Sequence, residues 1–198
     1  MNDTIKYYNT NAEAYFNSSI NADMSSLYAE FLGYIPSKGS ILDLGCGSGR
    51  DLKYFSEQGY KAEGLDASKE LCKLAEEYSG CHVYCDTIQD FIPHEKYDGV
   101  WACASLLHLS EYEIRDFFKG IDRLVVPGGI VFASMKSGIT TGQDDKNRYF
   151  TNFSDELLHS ILKDNLSLDL IKKWYSEDNL NRMDFQWLNC VFQIHLIL

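Results

Sequence analysis

Apolar positions along the chain follow two different periods, and these alternate. Apolar runs of about four to eight residues are typical of buried strands. They occur at residues 41–46, 61–66, 82–85, 97–104 and 129–135. Apolar residues spaced three and four apart predict amphipathic helices. These helices begin near Arg50, Ser68, Ser110 and Ser154.

The two ends of the chain add further elements. Residues 24–32 carry an apolar face at helical spacing and predict a helix before the first strand. Two final strands are expected at residues 168–176 and 186–198, the second with apolar residues at alternate positions. Strands that alternate with helices predict a parallel sheet with helices on both faces. Ligands bind such sheets at the carboxyl ends of the strands.

Length and composition indicate one domain over residues 1–198, with 45% hydrophobic residues. Six cysteines are scattered along the chain, and the close pair Cys81 and Cys85, with His82, has no second pair at a metal-binding spacing. We therefore expect reduced thiols and no metal. The net charge of −11 argues against a nucleic-acid partner, because phosphate binding requires a basic patch.

The chain also lacks obvious targeting features. No apolar run approaches the ~18–20 residues that a membrane-spanning helix needs. The polar start of the chain has no apolar signal-peptide core. We therefore expect no membrane partner and a cytoplasmic location, with either a monomer or a homodimer as the oligomeric state.

The segment at residues 40–51 joins the first strand to the next helix through glycines at positions 45, 47 and 49. Glycine allows a sharp turn with φ > 0 and close approach to a ligand, and free N–H groups at a helix start can bind its polar atoms. A dinucleotide-binding turn has the spacing G-x-G-x-x-G, but its third glycine is replaced by Arg50. The spacing is G-x-G-x-G instead, and Asp43 lies in the preceding strand.

Five ordered segments, including this turn, resemble the motifs of class I S-adenosylmethionine-dependent methyltransferases. They lie at residues 43–49, 64–68, 85–88, 97–109 and 124–129. The resemblance implies an α/β fold with a Rossmann-like, doubly wound, mostly parallel seven-stranded sheet and an antiparallel last strand. It also implies an N-terminal helical lid at 1–37, a cofactor-binding half at 38–136 and an acceptor-binding half at 137–198.

The resemblance assigns roles to individual residues. Asp66 accepts hydrogen bonds from both ribose hydroxyls, with a helix-capping role as the alternative. Asp86 accepts from the adenine amino group, with an exposed loop acid as the alternative. Asp43 binds the cofactor's ammonium group, near the backbone of Ala102. The full set predicted for S-adenosyl-L-methionine, or its product S-adenosyl-L-homocysteine, is Asp43, Gly45, Cys46, Gly47, Asp66, Ala67, Asp86, Thr87, Ile88 and Ala102.

Methyl transfer from a sulfonium is an in-line displacement in which alignment supplies much of the acceleration. A general base is needed only when the acceptor must lose a proton early. His108, after the fourth strand, is the candidate catalytic base, with a structural role as the alternative. The candidate acceptor-binding residues are Tyr15, Lys136, Arg148 and Trp187, with aromatic packing as the alternative for Tyr15 and a solvated charge as the alternative for Lys136 and Arg148.

The acceptor is expected to be a small molecule. Residues 102–105 read Ala-Cys-Ala-Ser and lack the Asn/Asp-Pro-Pro-aromatic motif of enzymes that methylate amino groups of nucleic acids. The compact length also leaves little room for a recognition domain. Two alternatives stay open: a catalytically silent regulator that binds S-adenosylmethionine, and a nicotinamide-dependent Rossmann oxidoreductase.

Overall fold

The computed structural model describes residues 2–177 and 185–195. The helices are α1 (Asn2–Thr10), α2 (Ala12–Ser19), α3 (Ser25–Leu32), α4 (Arg50–Glu57), α5 (Lys69–Ser79), α6 (Glu111–Lys119) and α7 (Asp155–Asp164). The strands are β1 (Ser40–Leu44), β2 (Lys61–Asp66), β3 (Val83–Cys85), β4 (Tyr97–Cys103), β5 (Val125–Ser137), β6 (Gly142–Gln143), β7 (Tyr149–Phe150), β8 (Leu168–Ser176) and β9 (Gln186–Ile194). Short 3-10 helices cover Leu106–His108 and Ile121–Arg123.

Within these described ranges, seven strands form one sheet in the order β3-β2-β1-β4-β5-β9-β8, and β6 pairs with β7 separately. Strands β1 to β5 run parallel to their neighbours, whereas β9 runs antiparallel to β5 and β8. The predicted Rossmann-like, doubly wound sheet with an antiparallel last strand is therefore confirmed. The strand order reverses between β1 and β4, which opens a crevice at their carboxyl ends.

Successive residues of the central strands point into different helical layers. Val100 of β4 packs in a buried cluster that includes Phe118 of α6. The next residue, Trp101, packs instead with Phe31 of α3 and Phe55 of α4. This alternation follows from the pleat of a strand. Both faces of the sheet are thus covered, and the strand ends that carry the site are fixed by two cores.

The helix starts agree with the predicted caps. Ser110 and Glu113 form a capping box at α6, and Ser68 and Ser154 accept hydrogen bonds from the first turns of α5 and α7. Apolar residues at helical spacing continue from Ile114 to Leu124, but α6 ends at Lys119 and Gly120 follows. A 3-10 helix then carries the remaining apolar positions into the same core.

Three other segments differ from the sequence expectation. Helices α1 and α2 precede the expected helix, which is α3. Strand β5 begins at Val125 rather than at residue 129. The β6–β7 hairpin was not predicted from the sequence, and its turn is closed by Asp144 Oδ1, which accepts from the N–H groups of Lys146 and Arg148. No helix of the described chain has the length and apolarity needed to cross a membrane.

Candidate active site

The glycine turn at the end of β1 has a backbone that other residues rarely adopt. Gly45, Gly47 and Gly49 have φ values of +75°, +54° and +76°. A Cβ added at Gly45 would overlap the Cβ of Ser105, which follows β4. A Cβ at Gly47 would lie 3.0 Å from the ring of Tyr15. The turn therefore needs glycine both for its backbone conformation and because there is no room for a side chain.

Asp66 at the end of β2 organises this turn. Its Oδ2 accepts a hydrogen bond from the N–H of Gly47 at 2.9 Å, and its Oδ1 accepts from the N–H of Ser68 at 2.8 Å. Burial raises the pKa of the Asp66 carboxyl, and the backbone hydrogen bonds oppose that rise. The carboxylate thus lies half-buried beside the glycines and faces the crevice between β1 and β4.

A first cavity of about 100 Å³, which we call the cofactor cleft, lies at these strand ends. Predicted residues that follow β2 and β3 line it, and helix α1 contributes further lining residues. The predicted residues that line it are Gly45, Gly47, Asp66, Ala67, Asp86, Thr87 and Ile88, together with Tyr15 and His108. The structure therefore brings most of the predicted cofactor set to one wall.

Three predicted residues lie behind this wall. Asp43 is 2% exposed, and its Oδ2 has no hydrogen-bond partner among the described residues. Burial, together with the charges of Asp51 and Asp66, raises its pKa well above the usual range. Cys46 is buried against α4 and α5, and Ala102 is fully buried within β4.

The chain reaches the cleft two residues after Ala102. Ala104 and Ser105 line the cavity, and Ala104 has a φ of +57°. A left-handed conformation is uncommon for a residue with a side chain and marks a strained position. The end of β4 is thus turned so that its backbone lies along the crevice.

A buried ionic network beneath the glycine turn was not anticipated. Arg50 donates to both carboxylate oxygens of Asp51, at 2.6 and 2.9 Å. Asp51 also accepts from Tyr28 Oη at 2.5 Å and from Trp101 Nε1 at 2.8 Å. Arg50 donates further to the carbonyl of Ser19 at the end of α2. Arg50 stands where a dinucleotide-binding motif has its third glycine. Here it joins the glycine turn to the N-terminal helices.

A second cavity of about 540 Å³, the acceptor cavity, lies beyond the carboxyl ends of β4 and β5. Lys136, Arg148 and Trp187 line it, as the sequence predicts for acceptor-binding residues. It shares four residues with the cofactor cleft. These junction residues are Tyr8, Tyr15, Ala104 and His108.

His108 is fixed at this junction by two hydrogen bonds. Its Nδ1 lies 2.7 Å from the carbonyl oxygen of Tyr149, and its Nε2 lies 2.9 Å from Tyr8 Oη. Burial lowers the pKa of His108 to about 4. The imidazole is therefore neutral at physiological pH.

Two cations of the acceptor cavity, Lys136 and Arg148, pack on aromatic rings. Lys136 Nζ lies 4.2 Å from the ring centre of Phe150. Arg148 donates to Asp144 at 2.7 and 3.0 Å, and its guanidinium lies 4.9 Å from the ring of Tyr7. Glu177 lies at the edge of the same cavity. The charged residues that follow it, Asp178, Arg182 and Asp184, lie outside the described residues.

Comparison with known proteins agrees with this architecture. Residues 41–129 match the family described as "Methyltransferase domain". The chain is 33% identical over 94 residues to a malonyl-[acyl-carrier protein] O-methyltransferase of Salmonella typhimurium, covering 46% of this chain and 37% of that protein. It is 29% identical over 143 residues to alpha N-terminal protein methyltransferase 1 of Caenorhabditis elegans, covering 67% and 59%. The alignments thus span less than two thirds of these relatives.

Among solved structures, a 1,6-didemethyltoxoflavin-N1-methyltransferase of Burkholderia thailandensis superposes with a TM-score of 0.74 at 17% identity. The match covers 96% of this chain and 88% of that one. That structure contains its acceptor and S-adenosylhomocysteine. At this identity the likeness concerns the fold, because one fold hosts many functions.

Proposed function

This chain carries a methyltransferase domain of the class I, S-adenosylmethionine-dependent family, and from that premise we propose that it methylates a small-molecule acceptor. The observation that carries the proposal is the meeting of two cavities at Tyr8, Tyr15, Ala104 and His108. One cavity has the predicted cofactor residues, and the other has the predicted acceptor residues. Among the described residues these four alone line both cavities, so a group bound in the first can meet a group bound in the second there.

The residues of the cofactor cleft fit S-adenosylmethionine. Gly45 and Gly47 bring their backbone to the cavity lining without a side chain. Asp66 offers a carboxylate to vicinal hydroxyls, and Asp86 lies with Thr87 and Ile88 where an adenine edge would be bound. Behind the wall of this cleft, a buried carboxyl oxygen of Asp43 has no described partner. Burial raises the pKa of this carboxyl, and an ammonium group bound nearby would favour its charged form. When bound, the cofactor supplies an activated methyl group on a sulfonium.

The acceptor cavity supports a small molecule as the acceptor. Its volume of about 540 Å³ lies within the ~300–1,000 Å³ that is typical of small-ligand pockets. Helices α1 and α2 supply part of its lining through Tyr7 and Ser18, and Asn11 contributes from the turn between them. A cavity of this volume, lined from several elements, favours a compact acceptor over a folded protein or a nucleic acid.

Calorimetry with S-adenosylhomocysteine tests the cofactor half of the proposal. We expect Asp66→Asn to weaken binding by about 1.5–3 kcal/mol, the typical contribution of a hydrogen bond to a charged group. Asp122→Asn, on the exposed surface after α6, is the matched control and should bind as the native protein does. Unchanged affinity in Asp66→Asn would remove Asp66 from the site, and stabilisation by NAD alone would favour an oxidoreductase.

A labelled methyl donor tests the acceptor half. The native protein is incubated with methyl-labelled S-adenosylmethionine and, separately, with the small-metabolite and protein fractions of a cell extract. We expect label in the metabolite fraction. Label confined to the protein fraction would instead indicate a protein or protein-carried acceptor, as the names of the two relatives state for those enzymes. Cofactor binding without transfer to either fraction would indicate a silent regulator.

A further inference from the structure

We propose that Tyr8 is a further catalytic residue, whose hydroxyl passes the proton of a protic acceptor to His108 Nε2 during methyl transfer. The inference rests on the proposed function, because it needs an acceptor in the second cavity. It goes beyond that function by naming the acceptor chemistry, an O–H or N–H nucleophile that must lose its proton. The relay consists of Tyr8, His108 and the carbonyl of Tyr149.

The hydrogen-bond partners of His108 determine which of its nitrogens carries the proton. The Tyr149 carbonyl oxygen can only accept a hydrogen bond, so His108 Nδ1, at 2.7 Å, is the donor. In a neutral imidazole the other nitrogen is then an acceptor. Tyr8 Oη, 2.9 Å from Nε2, must therefore donate its proton to His108. The proton of Tyr8 already points toward a base.

The surroundings of Tyr8 hold its hydroxyl at the junction of the cavities. Its ring packs edge-on against Tyr15 and His108, with centroids at 5.1 and 5.4 Å. Arg148 lies close enough to Tyr8 to lower the pKa of its hydroxyl, although burial raises that pKa more. The neutral phenol is thus the resting form. Negative charge that develops on Oη is stabilised by the guanidinium.

Asp144 fixes the position of that guanidinium. It accepts hydrogen bonds from Arg148 Nε at 3.0 Å and from Nη2 at 2.7 Å. It also accepts from the backbone N–H of Arg148 at 2.8 Å. Helix α1 is joined to the same hairpin, since Thr4 Oγ1 accepts from the N–H of Tyr149 at 2.9 Å. The relay is therefore assembled where helix α1 meets the β6–β7 hairpin.

The proposed step balances in protons and electrons. The acceptor's oxygen or nitrogen forms the bond to the methyl carbon, and the electron pair of the broken carbon–sulfur bond stays on sulfur. The acceptor's proton moves to Tyr8 Oη as the Tyr8 proton moves to His108 Nε2. The products are the methylated acceptor, S-adenosylhomocysteine and protonated His108, which then releases its proton to water.

The charges facing His108 favour rapid release of that proton. Arg148 and Lys136 disfavour the imidazolium, Asp144 favours it, and burial disfavours it most strongly. His108 therefore returns to its neutral form after each turnover. An acceptor that is already an anion has no proton to lose and needs no such relay. Loss of the Tyr8 hydroxyl should therefore slow the methylation of protonated acceptors selectively.

Nuclear magnetic resonance of the ligand-free protein tests the tautomer without any assay of activity. The protein is labelled with ¹⁵N-histidine, and His108 is assigned by its loss in His108→Asn. We expect the Nδ1–H tautomer at neutral pH. Observation of the Nε2–H tautomer would overturn the relay, because Nε2 would then have no lone pair to accept the Tyr8 proton.

Kinetics of Tyr8→Phe test the relay itself. The probes are 4-methylphenol, which is protonated near neutral pH as tyrosine is, and 4-nitrothiophenol, which is a thiolate there. General-base contributions are typically about 100- to 10,000-fold, so we expect a loss of kcat/KM of at least ~100-fold with the phenol. With the thiolate we expect a loss below ~5-fold, since no proton transfer is needed.

The control is Tyr112→Phe, on the exposed face of α6, which should behave as the native protein with both probes. Equal losses with both probes in Tyr8→Phe would overturn the relay and assign Tyr8 a structural role. If the native protein methylates neither probe, the tautomer decides alone. Retained binding of S-adenosylhomocysteine in Tyr8→Phe separates failure of the relay from failure of the proposed function.

Discussion

At the scale of single residues, the glycine turn shows how conformation and space combine. Gly45 and Gly59 both have positive φ, at +75° and +87°. Only Gly45 is also crowded, since a Cβ there would overlap Ser105, whereas nothing lies within 4 Å of a Cβ at Gly59. Substitutions at the two positions therefore distinguish the energetic cost of backbone strain from the cost of steric overlap.

Substitution of these glycines should give unequal losses of stability. For Gly59→Ala we expect a loss of about 1–2 kcal/mol, the cost of a left-handed residue with a side chain. For Gly45→Ala the overlap adds about 1–3 kcal/mol, and binding of S-adenosylhomocysteine should also weaken. Urea denaturation measures the free energy of unfolding of each variant. Equal losses of unfolding free energy in the two variants would show that Ser105 can move away from the added Cβ at no cost.

At the scale of elements, helices α1 and α2 connect the two cavities. Asn9 Oδ1 on α1 accepts from Ser68 Oγ at 3.0 Å and from the N–H of Glu70 at 3.2 Å. Thr4, on the same helix, is bonded to the β6–β7 hairpin. These contacts join the cofactor side and the acceptor side through a single short helix. Because α1 also lines the cofactor cleft through Thr4 and Tyr8, its attachment to α5 is expected to influence ligand release.

Weakening one of these contacts should speed ligand release. Asn9→Ala removes two hydrogen bonds to the start of α5, and a hydrogen bond contributes about 0.5–1.5 kcal/mol. We expect S-adenosylhomocysteine to dissociate ~3–10-fold faster, as followed by stopped-flow fluorescence. Asn17→Ala, at an exposed position of α2, is the control. An unchanged dissociation rate in Asn9→Ala would show that α1 does not limit release.

The elements also show where sequence patterns are informative and where they are not. The β1, β2 and β4 positions follow from short apolar runs, and the capping box at Ser110 follows from its spacing. The early end of α6 does not, because Ile121 and Leu124 continue its apolar stripe although Gly120 stops the helix. Periodicity indicates which residues of a segment face the core, but it does not indicate the backbone conformation of that segment.

At the scale of the whole molecule, a neutral buried histidine links stability to pH. The pKa of His108 is lowered to about 4 in the folded protein, below the ~6.5 of an unperturbed histidine. The unfolded chain therefore binds a proton more readily. This contribution makes the folded protein less stable as pH falls through the window from about 6.5 to 4.

His108→Asn should remove this part of the pH dependence. Linkage gives a loss of about 2 kcal/mol in the native protein between pH 7 and pH 5 from His108 alone. The loss over the same interval should be smaller by that amount in His108→Asn. Urea unfolding at both pH values measures it, and the buried carboxylates of Asp43 and Asp66 cancel in the comparison. Parallel pH profiles would mean that His108 titrates normally in the folded state.

The sequence by itself determined the alternation of strands and helices, the glycine turn and the acids at the strand ends. These are local features, because strand period, turn chemistry and residue type are all written within a few positions of one another. Together with the resemblance of five motifs to class I methyltransferases, they predicted the fold and about half of the residues that line the cofactor cleft.

Only the tertiary structure decided which of those residues meet. It placed Asp43 and Ala102 behind the cleft, joined Arg50 to Asp51 and α2, and brought Tyr8 to His108 across 100 residues of chain. The physical reason is that such contacts depend on how the sheet twists and how the N-terminal helices fold back over it. No local pattern encodes the distance between two side chains that are far apart in the chain.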